Sequence, residues 1–212
     1  TKALLDELGI EQTAIVGHSM GGMVATRFAS TYPETTTHVV MVNQIGLTDS
    51  RHGRAWTDPD AAYQSALRTS YRSVVSGHVR YYPQGWKPEY LKWVKYQYGL
   101  TLSGHWPQMA KVRAAQRQIL FEDPVVYEWQ HIATKALVIG GADDRLVSDY
   151  PAAARHVAEE LQNAELFIFP EIGHAPAFEI PDQFHAELIR FLRSDPSEPA
   201  DQEWRESNVG RR

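Results

Sequence analysis

A chain of 212 residues, 43% hydrophobic and 22% charged, has the composition of an ordinary globular protein with a sizeable core, organised as one large domain or two small ones. Its net charge of −5 is spread along the sequence rather than gathered in blocks, so neither nucleic acid nor a membrane surface is expected as a partner. The absence of cysteine excludes a disulfide framework, a thiolate zinc site and thiol redox chemistry, and no apolar run reaches the roughly 18 residues of a membrane span.

The chain opens inside a predicted helix, in which Leu4, Leu5 and Leu8 share one face and Gly9 stands as the C-terminal cap. With no initiator methionine and no signal-peptide pattern, it reads as a fragment or processed product; the compartment stays open, with the cytoplasm as the default. Thr13-Ala14-Ile15-Val16 reads as a strand, followed by Gly17-His18-Ser19-Met20-Gly21 and a helical stretch from Gly22 to Ala29. Tyr32-Pro33 ends that helix, and His38 to Val42 reads as a second buried strand. Lys135 to Gly141 is predicted as a third strand, with a helix near Pro151 to Leu161 after it. A fourth strand, Glu165 to Phe169, leads to an amphipathic helix from about Pro181 to Arg193 that turns Phe184, Leu188, Phe191 and Leu192 inward.

Short apolar strands alternating with helices predict an α/β fold with a parallel sheet covered on both faces. Residues 1–48 and 133–193 form the two parts of the predicted core, and residues 49–132 an insertion between the second and third strands. The polar tail, residues 194–212, is expected to be disordered. The insertion is helical in texture and rich in aromatic residues, and it leaves the sheet at the edge where open α/β sheets bind ligands. It is therefore predicted to roof a site. Most single rings are expected to give the module its own core, but together they favour an apolar chamber, with Trp86, Trp93 and Trp106 as candidate substrate-lining residues.

The strand-to-helix context of residues 17–21 makes Ser19 a candidate nucleophile. In so tight a hairpin the residues two before and two after the serine crowd each other, which predicts that Gly17 and Gly21 are there to lack a Cβ, while Gly22 lets the helix pack close to the sheet. The Met20 N–H, at the start of the helix, is placed to hold an oxyanion. A serine hydroxyl needs a base within reach and a carboxylate to orient that base. Gly141-Ala142-Asp143-Asp144-Arg145-Leu146-Val147 supplies a carboxylate after the third strand, and Gly173-His174-Ala175-Pro176 an imidazole after the fourth. His18 is a candidate either for lining the pocket or for supporting the turn. No zinc-binding spacing is visible among the histidines, and no metal or other cofactor is expected.

The order Ser, Asp, His is that of the α/β-hydrolase fold. With the Gly-His-Ser-Met-Gly-Gly, Gly-Ala-Asp-Asp-Arg-Leu-Val and Gly-His-Ala-Pro motifs, the chain over about residues 1–193 resembles the C-terminal part of a capped α/β-hydrolase of the meta-cleavage-product hydrolase, epoxide hydrolase and esterase superfamily. The resemblance implies a triad of Ser19, His174 and Asp144, with Asp143 the weaker choice for the acid, and makes residues 49–132 a helical cap. Asn43 ends the second strand, where some members carry the acid; an amide cannot serve, which favours Asp144. Serine rather than aspartate at the elbow implies acyl transfer to water.

The family normally has further strands before the elbow strand. Without them the first strand is expected to show a bare edge and the second oxyanion donor to be missing, a loss typically worth on the order of a hundred- to a thousandfold in rate. The expected activity is hydrolysis of a small apolar ester. The alternatives are C–C hydrolysis of ring-fission diketones, for which Arg68, Arg72, Arg80 and Arg113 are candidate carboxylate partners, and a noncatalytic member that binds a small apolar ligand. The expected partner is a small-molecule substrate, and oligomeric state is left open.

Overall fold

Four runs of β-branched and apolar residues form the sheet: β1 (Thr13–His18), β2 (Thr36–Val42), β3 (Lys135–Gly141) and β4 (Ala164–Phe169). The structure, a computed structural model, describes residues 1–201. All neighbouring strands pair in parallel in the order β1-β2-β3-β4, so every strand ends at the same edge of the sheet. Parallel strands need crossovers, and helices provide them: α2 (Met20–Thr31) joins β1 to β2, and α7 (Tyr150–Glu160) joins β3 to β4.

Alternation along the strands divides the core into two layers. Val39, Met41, Ala136 and Val138 pack with Ala25 and Ala29 of α2 and with Tyr150, Ala154 and Val157 of α7. Val40, Val42, Leu137 and Ile139 face the other way onto Phe184 and Phe191 of α9 (Pro181–Leu192), with Leu188 and Leu192 beside them. That is the inward face expected of the last helix. β3 is buried at every position, whereas β1 is an outer strand paired only with β2 among the described residues, and its Val16 keeps 47% of its surface exposed. The short first helix, α1 (Lys2–Glu7), ends as expected with Gly9 in the left-handed region, φ 65°. Its leucine face has no cover, since Leu4 and Leu8 are each 61% exposed.

Between β2 and β3 the chain builds four helices: α3 (Pro59–Leu67), α4 (Tyr71–Val79), α5 (Leu91–Thr101) and α6 (Trp106–Glu122). Asp58 caps α3 and Ser70 caps α4 through a reciprocal capping box with Ser73. α3 and α6 pack through Ala66, Trp106 and Ala110, small residues that let the indole sit between the helices. The module docks on the sheet edge through the stacked rings of Tyr82 and Tyr90, which cover Ala175.

One expectation fails at the C-terminus. Residues 194–201 are held rather than loose: Lys135 Nζ donates to the Asp195 carbonyl, and the Ala200 N–H donates to Asn163 Oδ1. A tail too polar to form a core can still be fixed by hydrogen bonds to a neighbouring loop, and Ala200 is buried there. The remainder of the expected disordered tail lies outside the described residues. Among the described residues no helix is long and apolar enough to cross a membrane.

Candidate active site

Ser19 sits between the last residue of β1 and the first of α2 with φ 57° and ψ −123°. Such a backbone costs a non-glycine residue about 1–3 kcal/mol and persists only where its surroundings enforce it. Here the Ser19 N–H donates to the Val42 carbonyl at 2.9 Å, while the Ser19 carbonyl accepts from the N–H groups of Gly22 at 3.0 Å and Ile45 at 3.3 Å. A Cβ on Gly17 would lie 2.1 Å from the Gly21 carbonyl oxygen, and one on Gly22 would strike the Gln44 side chain at 2.7 Å. The expectation for Gly21 is corrected: a Cβ there would meet nothing within 4 Å, because it is the backbone of Gly21 that crowds Gly17. Met20 opens α2, so its N–H is among the first-turn donors without an intrahelical acceptor.

His174 follows β4 and is 1% exposed; Asp144 follows β3 and is 5% exposed. Nδ1 of His174 lies 2.7 Å from Asp144 Oδ2, and since a carboxylate only accepts, Nδ1 carries the proton. Nε2 of His174 is buried and has no hydrogen-bond partner among the described residues. Asp143, the weaker candidate acid, points to solvent. Asp144 also accepts from Asn43 Nδ2 at 2.9 Å and from the Leu146 N–H at 2.8 Å. Burial pushes the Asp144 carboxyl up, but the His174 hydrogen bond and charge, with those from Leu146 and Asn43, bring it below the ordinary aspartate value.

Asn43 is fully buried with φ 40°, and its Oδ1 accepts from the Gly141 N–H at 3.1 Å. The amide that cannot act as the acid thus ties Asp144 to the end of β3. His18 contacts the His174 loop rather than the turn that carries it. Its Nε2 donates to the His174 carbonyl at 2.7 Å, its ring lies 4.8 Å from that of His174, and it lines an apolar cavity of about 250 Å³ with Ala175, Phe178 and Phe184.

Two residues that sequence reasoning did not single out hold the His174 loop. Glu179, at the end of α8 (Pro176–Glu179), accepts from the N–H groups of Gly173 at 3.1 Å and Ala175 at 3.3 Å, the two residues flanking His174. A glutamate three residues beyond Pro176 of the Gly-His-Ala-Pro motif was the available signal. Tyr81 accepts the His174 N–H on its carbonyl at 3.0 Å and lays its ring 5.0 Å from the imidazole. A Cβ on Gly173 would meet that carbonyl at 2.1 Å, so the glycine allows the helical insertion to press onto the histidine loop.

The insertion does not form the apolar roof expected of it. Trp106 is 6% exposed in the core between α3 and α6, Trp86 packs edge-on to Tyr82 and Tyr90 at the docking seam, and Trp93 stacks on Phe178 at 4.7 Å. The cavity that reaches Tyr81, about 420 Å³, is instead bordered by polar and cationic side chains from α3 to α6. The rings were needed to dock and fill a small module, and none of the three tryptophans borders that space. Of the candidate arginines, Arg68 and Arg113 line it, joined by Arg117; Arg72 and Arg80 do not. Among the described residues no group of three His, Asp or Glu side chains could hold a metal ion.

Residues 2–187 match the model of the alpha/beta hydrolase family. A candidate carbamate hydrolase, RutD, of Caulobacter sp. (strain K31) is 26% identical over 91% of this chain and 69% of its own length. The 2-hydroxy-6-oxo-6-phenylhexa-2,4-dienoate hydrolase of Comamonas testosteroni is 30% identical over 91% of this chain and 66% of that protein. The crystal structure of a probable hydrolytic enzyme from Pseudomonas aeruginosa PAO1 superposes with a TM-score of 0.86 at 32% identity, covering 91% of this chain and 67% of that one. The chain belongs to the alpha/beta hydrolase family and is a hydrolase of that family, spanning about two thirds of the length of these relatives.

Proposed function

We propose that this chain carries the catalytic centre of a serine hydrolase that cleaves a carboxylic ester of a small molecule through an acyl-enzyme. The observation that carries the reading is the state of His174: its Nδ1 proton is bound to Asp144, which leaves the Nε2 lone pair buried and unpartnered in a ring 4.8 Å from that of His18, the residue before Ser19. In the reaction the Ser19 Oγ attacks the carbonyl carbon while Nε2 takes the hydroxyl proton. Asp144 stabilises the imidazolium, and the Met20 N–H donates to the oxyanion. Collapse of the tetrahedral intermediate breaks the bond to the leaving group, which receives the proton from Nε2. A water then repeats the sequence on the acyl-enzyme, releasing the acid and restoring the serine. No step calls on a cofactor.

Intact-mass analysis after treatment with a fluorophosphonate tests this directly. One adduct is expected on the folded chain and none on Ser19→Ala or His174→Ala; labelling that survives in Ser19→Ala, or a folded wild type that does not label, overturns the reading. A second reading, C–C hydrolysis of a ring-fission diketone, draws support from the likeness to the dienoate hydrolase of Comamonas testosteroni. Supplying such a diketone and a nitrophenyl ester to the same preparation separates the two.

A further inference from the structure

The cavity of about 420 Å³ in the helical insertion has a chemistry that the hydrolytic machinery does not use. Arg68 stands just past the end of α3, Arg113 and Arg117 lie one turn apart on α6, and all three arginines border one space. No Asp or Glu lines it. Among the described residues none of the three is in an ion pair, although the chain as a whole carries a net charge of −5 and its ion-paired arginines, Arg27, Arg51 and Arg190, all have carboxylate partners. Three like charges around one hollow repel each other unless an anion lies between them.

The remaining wall is mixed. The Gln97 Oε1 accepts from His78 Nε2 at 2.7 Å, which leaves the Gln97 amide N–H groups free, while His78 Nδ1, then an acceptor, is buried without a partner among the described residues. Hydroxyl side chains from α3 and α4 complete the rim. Tyr81 connects this space to the reaction centre, because it lines the cavity and also lies against the His174 ring at 5.0 Å. The separate cavity next to His18 and Ala175 is apolar.

We propose that Arg68, Arg113 and Arg117 bind a carboxylate on the substrate, so that the hydrolysed ester is a half-ester of a dicarboxylic acid or an equivalent monoanion. The planar guanidinium accepts a carboxylate through paired hydrogen bonds, and a space of this volume is of ligand size. The anion anchors one end of the molecule, and the scissile carbonyl lies past Tyr81 at His174. This inference rests on the serine-hydrolase reading for its link to turnover, but the binding step stands without it.

The test compares para-nitrophenyl hemisuccinate with its neutral methyl ester on the same enzyme. The wild type is expected to prefer the anionic ester, and the Arg113→Gln/Arg117→Gln double variant to lower the anionic-to-neutral ratio of kcat/KM by about ten- to hundredfold, the value of charged hydrogen bonds. Because both rates come from one preparation, a partly unfolded variant cancels from the ratio. A ratio unmoved by the double variant overturns the proposal. If neither ester is turned over and the fluorophosphonate does not label, the serine reading has failed; succinate titration followed by tryptophan fluorescence then decides the pocket alone, since Arg113 lies 5.8 Å over the Trp106 ring. Saturable quenching lost in Arg113→Gln supports the site, and no saturation, or saturation that survives in the variant, overturns it.

Discussion

The loops at the sheet edge and the helices that cover them hold their polar residues in opposite ways. At the edge every candidate residue is held by backbone hydrogen bonds: Ser19 by Val42, Gly22 and Ile45, Asp144 by the Leu146 N–H, and His174 by Tyr81 and by a loop bound to Glu179. His174 and Asp144 are almost wholly buried. In the helical insertion Arg68, just past α3, and Arg113 and Arg117, both on α6, are exposed side chains held by no carboxylate among the described residues. The difference separates two demands. Proton transfer needs atoms held to a fraction of an ångström, which short loops after paired strands deliver; choosing a substrate needs only the right charge in the right hollow, which helix surfaces supply.

The largest expected break in this comparison comes from Asp144→Asn. An amide in place of the carboxylate can present an N–H to Nδ1 and favour the wrong imidazole tautomer, so kcat on a nitrophenyl ester is expected to fall by about 10⁴-fold with the fold retained. A loss below tenfold would mean that the buried acid does not serve His174. Trp106→Ala tests the other region. Removing a buried indole from between α3 and α6 is expected to cost about 3–5 kcal/mol in urea unfolding. Fluorophosphonate labelling of the folded fraction should proceed at close to the wild-type rate, since the cluster that holds Trp106 is built from α3 and α6. Loss of labelling in step with stability would show that the insertion and the edge form one rigid unit.

The sheet and the residues at its edge were legible because both rest on local patterns: apolar runs of strand length, glycine where backbones touch, and Ser, Asp and His each just past a strand. The bound state of Asn43 was not, since an amide at a strand end carries no mark of the carboxylate it will meet across the sheet. In the insertion the aromatic count misled. Tyr82 and Tyr90 are spent on the docking seam and Trp106 on the helix-helix core, uses that composition cannot distinguish from lining a chamber. Arg113 and Arg117 stand one turn apart on the side of α6 that also carries the buried Ala110 and Ala114, but nothing in the sequence says that Arg68, past the end of α3, closes the same hollow.

The smallest expected effect concerns Glu179, where the two regions meet. Its carboxylate binds the N–H groups on either side of His174, yet burial pushes its pKa up, and the Asp144 charge adds to this; the hydrogen bonds from Gly173 and Ala175 and the charge of Lys87 offset only part. A carboxyl raised in the fold contributes stability that is fully present below its unfolded value, about 4.3, and lost as pH rises through the folded value. Asp144 has the opposite sign: its stabilisation is complete above about 3.9 and lost as pH falls through its lowered folded value. Glu179→Gln keeps an acceptor for the loop and removes the titration. The Tm of the variant relative to wild type is therefore expected to rise between about pH 4 and neutrality, while the acid-side loss due to Asp144 remains. A Tm difference that stays flat across that range would show that Glu179 ionises in the fold as freely as it does in the unfolded chain.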